Sequence, residues 1–379
     1  MAISKEPPKL ASENILTLPF YEPGKPIEEV ERELGITGIV KLASNENPLG
    51  PSPLAIEAMR KVITEVHRYP DAMAFKLREK LSGILGVHPD QIGFGTGANQ
   101  LISLACIAFL TKGDEAIIPS PSFSSYRTAV QTMDATGIFP PLDKDWKFDL
   151  NAILKAITDK TKMIFICNPN NPTGTYLNEK EVSEFLDKVP DHIVVILDEA
   201  YCKFVEPNDF PDSIKYLKNE KKRIIILRTF SKIYGIAGVR IGYGIASKEL
   251  ASILRRVRPP FNASVLAQAA AFAALDDDRH VERTVSLNSS GKHYFYKEFD
   301  RLGLKYAKSE ANFVFFDTNR DGREVFNKLL REGVIVRPIP VNGDNRYIRV
   351  SMGLMEENKK FIKALEKVLP TIPELVEDM

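Results

Sequence analysis

Ile193-Val194-Val195-Ile196-Leu197-Asp198-Glu199-Ala200-Tyr201 is the stretch whose reading decides the fold: an unbroken aliphatic run that ends in an acid. A strand with one wet face alternates apolar and polar residues. An uninterrupted run instead describes a strand covered on both faces, as in a parallel sheet between helices. Ile224-Ile225-Ile226-Leu227-Arg228-Thr229-Phe230-Ser231-Lys232 repeats the pattern and again empties into polar residues. Outward from these two, short apolar runs at 91–94, 116–119, 137–139, 163–167 and 240–245 join 193–197 and 223–227 as candidate strands. Helix-like stretches at 99–110, 179–189 and 249–257 lie between them. This alternation predicts an α/β fold with a mostly parallel seven-stranded sheet between helices.

After Pro259-Pro260 the pattern changes. A helical stretch over 264–302 precedes an apolar run at 313–316, a helix over 324–332, runs at 334–336 and 347–350, and a helix over 357–368. These read as a smaller α+β domain. The reading divides the chain into an N-terminal arm (1–40), a large domain (41–260) and a small domain (261–379). Pro and Gly breaks deny the arm a core of its own, so it is expected to lie across another surface. No internal repeat or low-complexity tract interrupts this plan.

Composition narrows the function classes. With 379 residues, 44% hydrophobic and 27% charged, the chain suits a globular protein with a large core. Lys and Arg total 51 against 50 acidic residues, which argues against a broad nucleic-acid or anionic-membrane surface but leaves room for a local anion site. No apolar run approaches the roughly 18 residues of a membrane span. Residues 1–18 hold Pro7, Pro8 and several charges, unlike a secretory signal. Cys106, Cys167 and Cys202 lack metal-type spacing and sit in apolar or semi-apolar surroundings, as reduced cysteines of a cytoplasmic protein do. The five histidines form no paired motif, so no metal is expected.

The chemistry concentrates at strand ends. Asp198 stands at the C-terminal end of its strand, the edge where open α/β sheets place ligands; starting a turn or capping a helix is its competing use. A lysine after a strand is in isolation a surface residue. Two such strands ending in Asp198 and Lys232 would instead turn both groups into one crevice. Asn168-Pro169-Asn170-Asn171-Pro172-Thr173-Gly174 follows a third strand, although turn chemistry alone accounts for that composition. Gly93-Phe94-Gly95-Thr96-Gly97-Ala98-Asn99 runs into a helix, whose outward-pointing amides favour an anion. Its spacing is not the dinucleotide fingerprint, and no phosphate-loop Lys-Ser/Thr follows.

In this order the Asn168–Gly174 turn, Asp198-Glu199-Ala200-Tyr201, Ser231-Lys232 and Gly238-Val239-Arg240-Ile241-Gly242-Tyr243 resemble the fold-type I aminotransferases. Tyr21-Glu22-Pro23-Gly24-Lys25-Pro26, the stretch from Lys41 to Ser52 (KLASNENPLGPS) and His67-Arg68-Tyr69-Pro70-Asp71 narrow the likeness to the histidinol-phosphate aminotransferase subfamily. It runs from about Tyr21 to the C-terminus.

The resemblance implies pyridoxal 5'-phosphate as cofactor, bonded to Lys232, with Asp198 at its pyridine nitrogen. By the same likeness Tyr201 and Asn171 hold the phenolic oxygen, while Ser231, Arg240, Ala98 and Asn99 form the phosphate cup. Phe123 takes the place of the ring that stacks on the pyridine. Tyr69 resembles a residue donated by the neighbouring subunit, implying a homodimer with shared sites. Arg349 matches the arginine that faces the substrate anion, with Arg337 and Tyr21 as further contacts. Its partners would be small-molecule amino donors and 2-oxo acceptors, with no nucleic acid and no membrane. The expected reaction moves the amino group of glutamate to imidazole-acetol phosphate, giving 2-oxoglutarate and histidinol phosphate. An aromatic amino-acid aminotransferase, a decarboxylase of phosphorylated amino acids and a ligand-sensing domain of a transcription regulator remain alternatives on this scaffold. Two departures bear on substrate preference. Asn99-Gln100 stands where Asp-Glu is commoner, and Phe123 where Tyr is commoner.

Overall fold

The computed structural model describes residues 10–20, 24–219, 221–341 and 343–375. Its strands are β1 (Val40–Lys41), β2 (Ile92–Gly95), β3 (Glu115–Ile117), β4 (Thr136–Ile138), β5 (Thr161–Cys167), β6 (Val194–Asp198), β7 (Arg223–Thr229), β8 (Gly242–Ala246), β9 (Phe313–Asp317), β10 (Val334–Ile335), β11 (Arg337–Val341) and β12 (Asp344–Ser351). The main sheet has seven strands in the order β2-β8-β7-β6-β5-β3-β4. From β7 to β4 all neighbours are parallel, and β8 runs antiparallel to both β7 and β2. Every residue of β6 is buried, as its unbroken aliphatic run requires.

Strand register gathers the polar ends on one edge. Cys167 pairs with Asp198, Asp198 with Leu227, Thr229 with Gly242, and Gly242 with Gly95. Because β8 is reversed, its first residue lies where β5, β6, β7 and β2 end. The turns that follow those four strands, and the turn that leads into β8, therefore open onto a common rim.

The apolar residues form two principal cores. One surrounds the main sheet and includes the helix Val265–Ala274, which packs against Pro53–Val62. The other joins Val40 and Leu42 to Phe295, Phe299, Val314, Phe316, Leu329, Ile348 and Phe361. The helix Asp278–Arg301 bridges them: Val281 and Val285 pack on the first core, and Phe295 and Phe299 enter the second. The C-terminal strands form an antiparallel sheet in the order β11-β12-β9, while β1 pairs in parallel with β10.

Three local expectations needed correction. The helical stretch over 264–302 is two helices, because Asp277 accepts the His280 amide and caps a new start. The strand expected over 240–245 begins at Gly242, since Arg240 has φ 63 and cannot continue a strand. Strand β11 was not expected, because Pro338 and Pro340 interrupt it; at the edge of its sheet their missing amides cost little. Among the described residues no helix is long and apolar enough to cross a membrane.

Candidate active site

Asp198 closes β6 with only 4% of its surface exposed. One carboxylate oxygen accepts from the Tyr126 hydroxyl at 2.7 Å and the other from the Ala200 amide at 3.1 Å. Burial pushes its pKa from 3.8 up to about 6, against the opposing pull of those two donors. One strand over, the Lys232 amine donates to the carbonyls of Asn45 at 3.1 Å and Ser44 at 3.3 Å. Burial first, then the Arg349 charge, bring its pKa down to about 8. An acid and an amine on neighbouring strand ends are thus both shifted toward neutral pH.

Tyr201 and Asn171 complete the rim around these two. The buried Tyr201 hydroxyl accepts from Asn45 Nδ2 at 3.0 Å, and the Lys232 amine lies 5.7 Å from the centre of its ring. Asn171 Oδ1 accepts from Arg349 at 2.6 Å. Arg349 also donates to the Ala43 carbonyl at 2.7 Å and lies over the Phe313 ring at 5.3 Å. Strand β12 of the C-terminal sheet thereby reaches the turn that follows β5. Arg337 is the residue directly opposite Arg349 on β11.

The glycine-rich turn meets Arg240 on the same edge. Gly97 has φ 75, and a Cβ there would come within 2.5 Å of Arg240 Nη2. Arg240 donates to Ala237 O at 2.9 Å, with Ser231 Oγ and Thr96 O each at 3.5 Å. Ala98 opens the helix Ala98–Phe109 and Asn99 follows it, so their amides lie in the first turn beside this guanidinium. Phe123 precedes the helix Ser124–Thr132 and meets Tyr126 edge-on at 5.5 Å.

Contacts connect Lys232 to Tyr201 and Arg349 to Asn171, the Asp198 charge acts on Lys232 and Tyr201, and a second set of contacts connects Ser231, Arg240 and the Gly97–Asn99 turn. Tyr69 is 81% exposed and stacks on Phe261 at 4.6 Å; among the described residues no hydrogen bond or ring contact ties it to either set. Tyr21 lies outside the described residues. Among the described residues no His, Cys, Asp or Glu group could hold a metal ion.

Sequence reasoning missed Tyr126, Asn45 and Ser351. Tyr126 stands one helical turn from Phe123, which was a usable signal. Asn45 lies within the Lys41–Ser52 stretch that carried the resemblance, whereas nothing local marks Ser351.

The sequence profile of the family described as aminotransferase class I and II matches residues 37–365. The histidinol-phosphate aminotransferase of Moorella thermoacetica is 46% identical over 357 residues, covering 94% of this chain and 92% of that protein. That of Caldicellulosiruptor saccharolyticus is 46% identical over 94% of this chain and 99% of its own length. Among solved structures, histidinol-phosphate aminotransferase from Sinorhizobium meliloti in complex with pyridoxal-5'-phosphate superposes with a TM-score of 0.88 at 27% identity. That superposition covers 96% of this chain and 98% of the other.

Proposed function

Because the chain belongs to the class I and II aminotransferases, and within them to the histidinol-phosphate aminotransferases, we propose that it moves an amino group between glutamate and imidazole-acetol phosphate, using pyridoxal 5'-phosphate bound at Lys232. The products would be histidinol phosphate and 2-oxoglutarate, a step of histidine biosynthesis. The observation that carries the reading is the placing of Lys232, an amine with pKa about 8, just past the strand next to the one that ends in the buried Asp198.

The residues present fit a phosphorylated pyridine aldehyde. The space a Gly97 side chain would fill adjoins the Arg240 fork, and a planar fork suits two phosphate oxygens. Ser231 and the first-turn amides at Ala98 and Asn99 add donors there. Asp198 would hold the proton on the ring nitrogen, Tyr201 and Asn171 the phenolic oxygen, and Phe123 the ring face. When bound, the cofactor supplies an aldehyde that takes up amines and a ring that accepts electrons.

This chain's own groups do the remainder. The lowered pKa leaves a fraction of Lys232 unprotonated near neutral pH, so Nζ can act as a nucleophile and then carry the proton of the substrate α-carbon. Arg349, with Arg337 opposite, would receive the carboxylate of glutamate in one half-reaction and the phosphate of the partner substrate in the other. Tyr69 would serve the site of a second copy in a cytoplasmic homodimer, consistent with its exposure and its stacking on the half-exposed Phe261.

Borohydride reduction of the holoprotein followed by peptide mapping tests the cofactor assignment; label on any lysine other than Lys232 overturns it. Steady-state kinetics with glutamate, histidinol phosphate and phenylalanine as competing donors tests the substrate. Preference for phenylalanine over histidinol phosphate would make this an aromatic aminotransferase.

A further inference from the structure

Asn45 is a junction between both domains and the Lys232 site. It lies in the loop after β1, is 2% exposed and has φ 54, in the left-handed region that asparagine enters more readily than other non-glycine residues. Its carbonyl accepts from Lys232 Nζ and from Asn312 Nδ2, each at 3.1 Å. Its amide N–H donates to Ser351 Oγ at 2.8 Å, and that same Oγ lies 2.8 Å from Asn45 Oδ1. Asn45 Nδ2 lies 3.0 Å from the Tyr201 hydroxyl.

The directions of these bonds follow from donor chemistry. Ser351 Oγ accepts the Asn45 backbone N–H and gives its own proton to Asn45 Oδ1. With its oxygen turned to Ser351, the Asn45 amide presents Nδ2 to Tyr201. An amide nitrogen only donates, so the Tyr201 oxygen is the acceptor and its own proton points elsewhere. Among the described residues no protein group takes that proton.

We infer that Asn45 and Ser351 are positioning residues whose relay, Ser351 O–H to Asn45 Oδ1 and Asn45 N–H to the Tyr201 oxygen, commits Tyr201 to donating its proton to the anionic ring oxygen of the bound cofactor. The relay rests on the cofactor reading above. It starts on β12, two residues beyond Arg349, so seating of that strand and orientation of the Tyr201 proton are coupled. An Asn45 amide turned the other way would draw the Tyr201 proton to itself and withdraw it from the cofactor.

The test is the pH titration of the visible absorbance of the holoprotein. Losing the Tyr201 donor leaves the ring oxygen more basic, so the proton it shares with the lysine-bound nitrogen leaves at higher pH. Tyr201→Phe sets the full upward displacement of the midpoint. Ser351→Ala and Asn45→Ala should each move it the same way by about half a pH unit or more, and add nothing in a Tyr201→Phe background. Ser351→Thr, which keeps the hydroxyl, should restore it. Arg349, Asp198, Cys167 and Lys232, the charged and titratable groups facing Tyr201, are unchanged throughout. A midpoint unmoved by both alanine variants, or displacements that add to that of Tyr201→Phe, overturns the relay while leaving the cofactor reading intact. Wild-type protein with no chromophore on Lys232 overturns the cofactor reading and the relay with it.

Discussion

Replacing Asp198 by Asn should stabilise the cofactor-free protein while disabling the reaction. The Asp198 pKa rises from 3.8 to about 6 on folding, chiefly through burial. A raised acid pKa means that the native state binds the extra proton. The cost of burying the charge is therefore absent below 3.8, grows between 3.8 and about 6, and is complete above that. A displacement of about two pH units at 1.36 kcal/mol each sets the full cost at about 3 kcal/mol. Asp198→Asn removes it. The substitution also removes an acceptor: the carboxylate serves Tyr126 and Ala200 with separate oxygens, and an amide has only one. That loss costs about 1 kcal/mol. A net gain of about 2 kcal/mol is expected at pH 7.5, shrinking to less than about 1 kcal/mol at pH 5.

Urea unfolding of the apoprotein at both pH values reads this directly, since a shift in midpoint at constant slope is a change in stability. The holoenzyme of the same variant should lose on the order of a hundredfold in rate, equivalent to about 3 kcal/mol of barrier. A variant less stable than wild type at pH 7.5, or a gain that ignores pH, would refute the claim that burial of the charge dominates at this site.

Arg349→Ala leaves Asn171 Oδ1 and the Ala43 carbonyl without the donor they share. It should lower kcat/KM for glutamate and for histidinol phosphate by roughly tenfold to a hundredfold each. Arg337→Ala should harm histidinol phosphate more; stopped-flow measurement of each half-reaction separates the two effects. Gly97→Ala forces a side chain against Arg240 at a positive φ, so cofactor retention after gel filtration should fall, and the apoprotein should lose about 1 kcal/mol of stability as well. Mixing inactive Lys232→Ala with inactive Tyr69→Ala should restore part of the activity through hybrid dimers. Full activity in a stable monomer would rule out a shared site.

The centre of the main sheet was legible because β5, β6 and β7 carry uninterrupted apolar runs, Met163–Cys167, Ile193–Leu197 and Ile224–Leu227. Strand-end residues were legible for a related reason: once the sheet is read, Asp198 and Lys232 have little choice but to share an edge. Strand β11 escaped because alternating prolines oppose a strand by local propensity, and only its edge position permits one. The break at Asp277 escaped because apolar periodicity resumes directly beyond it. Tyr126, Asn45 and Ser351 were hidden for a different reason. Their partners lie 72, 156 and 306 residues away in the chain, so no local pattern announces the bond.

The charges at the site oppose the apoprotein in complementary ways. Asp198 is ionised at neutral pH in a place that favours the neutral acid, and Lys232 is partly protonated beside Arg349 and Arg240, which repel it. Tyr126 and Ala200 offset the first cost only in part, and Glu46 and Asp198 the second, so both pKa values stay displaced. A dianionic phosphate beside Arg240 would relieve the second, and a protonated ring nitrogen beside Asp198 would relieve the first. The arrangement thus favours a ligand bearing both features over one bearing either alone, because each relieves a different penalty. The hydrogen-bonded loop at Ala43–Asn45 is what holds the opposed groups in register. Its carbonyls take the Lys232 amine and the Arg349 fork, so neither cation can swing out to water without breaking a buried bond. Strain stored in this way is released only when the complementary ligand arrives.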